Sequence, residues 1–199
     1  MIALTFDDGP NEPYTRQILD VLAEYGAKAT FFVIGKWVRQ APEIVRDVAA
    51  AGHEIGNHTD KHVSLSGADY SLTRWEFGRG YEAIHDVIGA WVESYRPPFG
   101  QASGHERIAG KLADVDSRMV MWDVHGSDWA ADSVEEITEP IFKYLDEHKA
   151  GIVLLHDGYY KEFGADRSKT VEATRRILER YKSEKFVTIG EYQCLTQCA

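Results

Sequence analysis

The chain has 199 residues, 44% hydrophobic and 27% charged, the balance of a folded domain of ordinary size with room for a full core. Its formal charge of −10, from 22 basic and 32 acidic side chains, argues against nucleic acid or an anionic membrane surface as a partner. No stretch approaches the ~20 apolar residues of a transmembrane helix, and the start has neither the basic cluster nor the long apolar run of a signal peptide.

Residues 2–6 read as an apolar first strand, followed by the turn Asp7-Asp8-Gly9-Pro10. Successive strand side chains point to opposite faces, so one carboxylate of the pair can hold a metal while its neighbour works as a base. The same residues also read as ordinary polar turn chemistry. A helix is expected over 12–25, with Ile18, Leu22 and Tyr25 at helical spacing and Asn11 and Pro13 at its start. A strand at 29–34, a helix at 42–51 and a short strand at 54–56 come next. Residues 72–89 are helical, with Phe77, Tyr81, Ile84 and Ile88 on one stripe, and 94–96 is a short strand end. A helix at 104–113, a strand at 118–122 and a helix at 134–148, which Pro140 should bend, follow. The apolar run at 151–156 suits a strand buried in a parallel sheet. An amphipathic helix at 167–181 and a last strand at 186–189 close the pattern.

About seven β/α units without repeat or linker predict a single domain over 1–199, α/β with mostly parallel strands, either a barrel or an open sheet. Both architectures bind ligands at the C-terminal ends of the strands. Asp7 and Asp8 end the first strand, His58 and His62 follow the third, and Arg96 follows the fourth. Asp128 follows the fifth, and His156 and Asp157 end the sixth. A random scatter of polar residues would not collect on one rim.

His58-Thr59-Asp60-Lys61-His62 sets two imidazoles at i, i+4, which on a helical turn share a face and can share a metal. Alone, such a pair is as readily a surface coincidence. Asp8, from another strand, makes a set of two imidazoles and one carboxylate that suits zinc or another divalent first-row metal. Such a metal polarises a carbonyl and acidifies its water. His156 reads either as a structural histidine or as a general acid, with Asp128 as the partner that orients and charges it. Asp128-Trp129 reads nearly as well as a capping turn beside a packed indole. Arg96 is either a loop-edge arginine or the counter-charge of Asp7. The backbone N–H groups after Pro98 can face a developing oxyanion.

Five segments stand in the order of a known family. They are Thr5-Phe6-Asp7-Asp8-Gly9-Pro10, His58 to His62, Arg96-Pro97-Pro98-Phe99-Gly100, Asp128-Trp129 and Leu155-His156-Asp157. In them the chain resembles the polysaccharide deacetylases of carbohydrate esterase family four, the NodB-homology domain, over nearly its whole length. The resemblance implies a deformed (β/α)7 barrel and metal-dependent hydrolysis of N-acetyl groups on a glucosamine polymer, chitin-type or peptidoglycan. It implies Asp8, His58 and His62 as metal ligands, usually for Zn2+, with Co2+, Ni2+ or Mn2+ as alternatives. Asp7 would be the base on the attacking water, Arg96 its support, His156 the acid for the leaving amine and Asp128 the group that tunes it. The Phe99 N–H would help hold the oxyanion, and Trp129 and Leu155 would wall the pocket for the acetyl methyl group. The implied partner is an acetylated glycan, with no nucleic acid, membrane span or protein partner. An O-acetyl esterase of xylan is the neighbouring alternative. A metal-free carbohydrate-binding relative is the alternative outside enzymes, and the filled catalytic positions argue against it.

Two positions depart from the family pattern. Phe99 stands where Tyr is frequent, which matters little to a backbone donor. His125 stands where relatives often have a small or acidic residue, and no role is carried onto it. The loop 64–73 is expected over the rim. Cys194 and Cys198 suit a local disulfide or two free thiols. The missing leader and these cysteines point in different directions; export with a leader removed is favoured over a cytoplasmic location.

Overall fold

The run Ile2–Asp7 is buried at every position, as a central strand with both faces covered requires. The structure is a computed structural model, described for residues 1–101 and 117–197. The helix expected at 104–113 and Cys198 lie outside the described residues. In chain order the elements are β1 (Ile2–Asp7), α1 (Tyr14–Glu24), β2 (Ala29–Val33), α2 (Gly35–Gln40), α3 (Pro42–Ala50), β3 (Glu54–Asn57) and α4 (Tyr70–Ile88). Then come β4 (Ser94–Tyr95), a 3-10 turn (Pro98–Gly100), β5 (Arg118–Met119), β6 (Val124–His125), α5 (Val134–His148), β7 (Gly151–His156), α6 (Ser168–Arg180) and α7 (Ile189–Gln197).

Seven strands pair in parallel in the order β5-β4-β3-β2-β1-β7-β6. The two edge strands are neighbours in sequence, and that decides the shape. From Met119 to Val124 an extended chain spans at most about 18 Å. Six spacings of about 4.8 Å would hold flat edges about 29 Å apart. The sheet therefore curls into a deformed (β/α)7 barrel whose last gap is crossed by the chain itself. Residues 118–125 act as one bent segment: Val120 N–H donates to Tyr95 O at 2.9 Å and Asp123 N–H to Ile152 O at 2.9 Å. Of the strand expected at 118–122, only Arg118–Met119 forms one.

Side-chain alternation along β1 separates two cores. Ile2, Leu4 and Phe6 join the large cluster under the helices, whereas Ala3 joins Phe32, Val120 and Ile189 in a small second cluster. Thr5 and Asp7 share the phase of Ala3, so Asp7 belongs to the barrel's inner face at its C-terminal mouth. Outside, α1 buries Thr15, Ile18, Val21 and Leu22, and packs against α6; α6 packs against α5. Asp69 caps α4 by accepting from Leu72 N–H at 2.8 Å, and Ser133 caps α5 by accepting from Glu136 N–H at 3.2 Å.

Two expectations are corrected. The helix α2 was not foreseen, and residues 186–189 are not a strand. Phe186 makes a single bridge to Ile2, and Ile189 opens a helix. Ile189 N–H donates to Thr30 Oγ1 at 2.9 Å and Gly190 N–H to Glu54 Oε2 at 2.7 Å. Side chains of β2 and β3 thus take the N–H groups a further strand would have offered to a neighbour. The segment closes the barrel floor as a helix start. Among the described residues, no helix is long and apolar enough to cross a membrane.

Candidate active site

The strand β1 ends at Asp7, and Asp8 turns the backbone into the left-handed region with φ 72°. The pair therefore converges, where plain strand alternation would have sent the carboxylates to opposite faces. Asp7 Oδ2 lies 3.7 Å and Asp8 Oδ1 3.5 Å from the same His58 Nε2. Two glycines let the adjoining turns approach. A Cβ on Gly9 would stand 2.2 Å from Asp157 Oδ2, and one on Gly158 would stand 2.1 Å from the Asp8 carbonyl oxygen.

His58 to His62 is a loop and not the helical turn its spacing suggested. Thr59 and His62 have φ of 67° and 58°, and these two left-handed residues fold the rings to 4.8 Å between centroids. Thr59 Oγ1 accepts from His62 N–H at 3.2 Å, and Asn57 Oδ1 accepts from Thr59 N–H at 2.9 Å. His58 Nδ1–H donates to the Arg96 carbonyl at 2.7 Å, which leaves its Nε2 lone pair free.

Asp8, His58 and His62 each offer one ligand atom, all within 4.8 Å of one another and all buried. Asp8 Oδ1 sits 3.5 Å from His58 Nε2 and 3.3 Å from His62 Nε2. By distance these contacts resemble ion pairs, but the imidazoles are neutral. Burial chiefly, with the nearby positive charge of Arg96, takes His58 down to about 3. Burial and the neighbouring His58 take His62 down to about 2. Asp8 Oδ1 has no hydrogen bond among the described residues. Three lone-pair atoms around one point fit a cation. Donors about 2.1 Å from a tetrahedral ion lie about 3.4 Å apart, which the two separations from Asp8 Oδ1 match.

Beside this set stand two paired groups. Arg96 is fully buried and donates from Nη1 to Asp7 Oδ1 at 2.7 Å and Thr5 Oγ1 at 2.9 Å. Its Nε donates to Val120 O at 3.0 Å and its Nη2 to Met121 O at 3.2 Å, so the guanidinium also pins the bent closing segment. His156 lies opposite Asp7 in the β1–β7 register. Its Nδ1–H donates to Asp128 Oδ1 at 2.9 Å and its backbone N–H to Asp128 Oδ2 at 2.8 Å. Burial alone would lower His156; the charge and hydrogen bond of Asp128, then Asp8 and Asp7, raise it to about 9. Burial works to raise Asp128, but His156 and the Thr170 hydroxyl hold it below the usual carboxylate range.

The cleft walls are aromatic. Phe99 is 53% exposed, has φ 58° and meets His62 edge-on at 4.6 Å. Trp129 is 47% exposed and packs at 5.1 Å on His156. His125 packs at 5.3 Å on Trp129, with Ser127 Oγ 3.2 Å from its Nδ1. Leu155, expected in the pocket wall, is instead fully buried in the large core cluster with Phe6, on the face of β7 opposite His156.

Residues 1–117 match the family described as Polysaccharide deacetylase. The chain belongs to the polysaccharide deacetylase family. It is 39% identical over 197 residues to a peptidoglycan-N-acetylglucosamine deacetylase of Bacillus cereus, covering 96% of this chain and 87% of that one. It is 32% identical over 192 residues to a chitooligosaccharide deacetylase of Sinorhizobium fredii, covering 94% and 87%. The solved structure of peptidoglycan deacetylase PdaC from Bacillus subtilis superposes with a TM-score of 0.82 at 26% identity, over 99% of this chain and 91% of that one. This polysaccharide deacetylase is a hydrolytic, metal-dependent enzyme of carbohydrate esterase family four.

Several residues of the deacetylase site escaped the sequence reading. Thr5 and Thr170 are threonines like any other until the fold brings them to Arg96 and Asp128. Asp157 was read only as part of a motif; burial raises it to about 7, and it pairs with the Thr15 hydroxyl beneath the β1 turn. Tyr160 stacks on His62 and carried one available signal, its place in the loop after a strand that ends in a reactive histidine.

Proposed function

We propose that this chain removes the N-acetyl group from N-acetylglucosamine in a cell-envelope glycan, peptidoglycan first and chitin-type oligomers second, with zinc held by Asp8, His58 and His62. The catalytic unit is the one domain over 1–199. One observation carries the reading: the three-donor set shares a barrel mouth with an arginine-paired carboxylate and a carboxylate-paired imidazole. The relatives at 39% and 32% identity are named for peptidoglycan N-acetylglucosamine and for chitooligosaccharides.

When bound, the divalent cation supplies Lewis acidity to the acetyl carbonyl and to water. Asp7, with Oδ1 engaged by Arg96 and Oδ2 toward the donor set, takes the proton of the attacking water. Arg96 fixes the carboxylate and balances its charge. His156, charged and aimed by Asp128, gives a proton to the leaving nitrogen. The Phe99 N–H donates to the tetrahedral oxygen. Trp129 walls the acetyl methyl group.

The test is acetate release by zinc- or cobalt-loaded protein from peptidoglycan, chitotetraose and acetylxylan, with products mapped by mass spectrometry. Free amino groups on N-acetylglucosamine are expected. Faster release from acetylxylan would replace N- by O-deacetylation, and no acetate from any of the three would end the reading. Asp7→Asn should abolish turnover and leave metal binding intact; surviving activity would move the base elsewhere.

A further inference from the structure

The two histidine ligands are aimed by different means. His58 has the usual device, an Nδ1–H donated to a backbone carbonyl. The Nδ1 of His62 is buried and has no hydrogen-bond partner among the described residues. Its backbone is in the left-handed region, so the main chain alone does not make this an easy place for a ring. Aromatic rings touch it instead. Tyr160 stacks on the imidazole with centroids 4.4 Å apart and planes 23° apart, and Phe99 meets its edge.

Tyr160 is itself firmly held. It lies between β7 and α6, in a loop tied to α2 and to the turn after β1. Lys36 Nζ donates to the Tyr160 carbonyl, and Trp37 Nε1 donates to the Tyr159 carbonyl at 3.2 Å. The Trp37 ring packs on Phe163 at 5.6 Å. Asn11 Nδ2 donates to Ala165 O at 2.9 Å, and Asn11 Oδ1 accepts from Gly164 N–H at 2.6 Å.

We propose that Tyr160 is a positioning residue of the metal centre, its ring aiming His62 in place of a hydrogen bond. Lys36 sets the height of Tyr160 through the carbonyl. The proposal rests on the assignment of Asp8, His58 and His62 as ligands and goes beyond it.

The test uses Zn2+ and Co2+ alone as probes on the whole chain. Dissociation constants come from competition with a chromophoric chelator, and ligand geometry from the visible spectrum of the cobalt form. Tyr160→Phe keeps the ring, and should keep wild-type affinity and spectrum. Tyr160→Ala should weaken binding about 10–100-fold, the range for loss of a residue that orients a ligand, and alter the cobalt bands. Lys36→Met should fall between. The urea midpoint of metal-free Tyr160→Ala should stay near wild type, which separates positioning from general stability. Tyr160→Leu fills the space without an aromatic face, and should weaken binding even if the alanine variant fails to fold. Wild-type affinity in the alanine and leucine variants would overturn the proposal alone. So would an equal loss in Tyr160→Phe, which would shift the role to the hydroxyl. Wild-type protein that binds neither metal would overturn the ligand assignment and the proposal with it.

Discussion

His156 holds its proton against its own burial. The Asp128 carboxylate at 2.9 Å, with Asp8 and Asp7 behind it, outweighs desolvation and raises the imidazole to about 9. The charged ring is then the resident form at neutral pH, the form a general acid needs. The charged form is the one the fold favours. Its contribution to stability is complete below the ordinary value of 6.5 and is lost as pH rises through about 9. The chemistry separates two classes of substrate. An amide nitrogen leaves only with a proton, whereas a phenolate leaves without one. His156→Asn should lower deacetylation of chitotetraose by about 10²–10⁴-fold, the range for general acid catalysis. Hydrolysis of an aryl acetate should fall far less. Equal losses, measured as kcat/KM on both substrates, would remove the acid role from His156.

The elements legible in the sequence are those whose burial pattern repeats within their own length. The helix α6 buries Thr170, Ala173, Thr174, Ile177 and Leu178, a stripe visible at 3.6 spacing, and β7 is apolar nearly throughout. The elements that escaped take their definition from distant residues. The six-residue α2 is started by Gly35 N–H on Thr59 O and Lys36 N–H on Asp60 O, both from the loop after β3. The bent segment 118–125 changes partner midway, and no local pattern marks that. The site divides likewise: Asp7, Asp8, His58, His62, Arg96, Asp128 and His156 show as chemistry at strand ends, while Thr5, Thr170 and Tyr160 act only through the fold. α5 was legible as well, and it runs as one helix through Pro140. Pro140 lies inside α5, exposed, and denies a donor to the carbonyl of Glu136 one turn earlier. Pro140→Ala should therefore raise the free energy of unfolding by about 1–3 kcal/mol. Urea denaturation checks it, and a loss of stability would mean that the chain needs the ring there.

At the scale of the whole barrel, the donor set joins the ends of β1 and β3, two strands separated by β2. A cation there adds its binding free energy to folding, about 2.7 kcal/mol at 100 times Kd, or roughly 5–11 °C in Tm for a chain of this size. Without the cation the same cluster opposes the fold. Burial first, with the charge of Asp7, pushes Asp8 up to about 6 against the pull of His156 and Arg167. The distance from 3.8 to about 6 corresponds to on the order of 3 kcal/mol. Because the folded value is raised, the stabilising contribution of Asp8 is complete below 3.8 and lost as pH rises through about 6. Asp8→Asn in chelator at pH 7 should then be more stable than the wild type, while showing no rise in Tm with metal. In the wild type the metal-induced rise should be full at pH 7 and fade below pH 6. A single proton competes there, because His58 and His62, at about 3 and 2, are already neutral. Affinity should fall about tenfold per pH unit in that range. A steeper fall in calorimetric titrations would mean that the imidazoles titrate too, and a metal-induced rise retained in Asp8→Asn would place the cation somewhere other than between Asp8, His58 and His62.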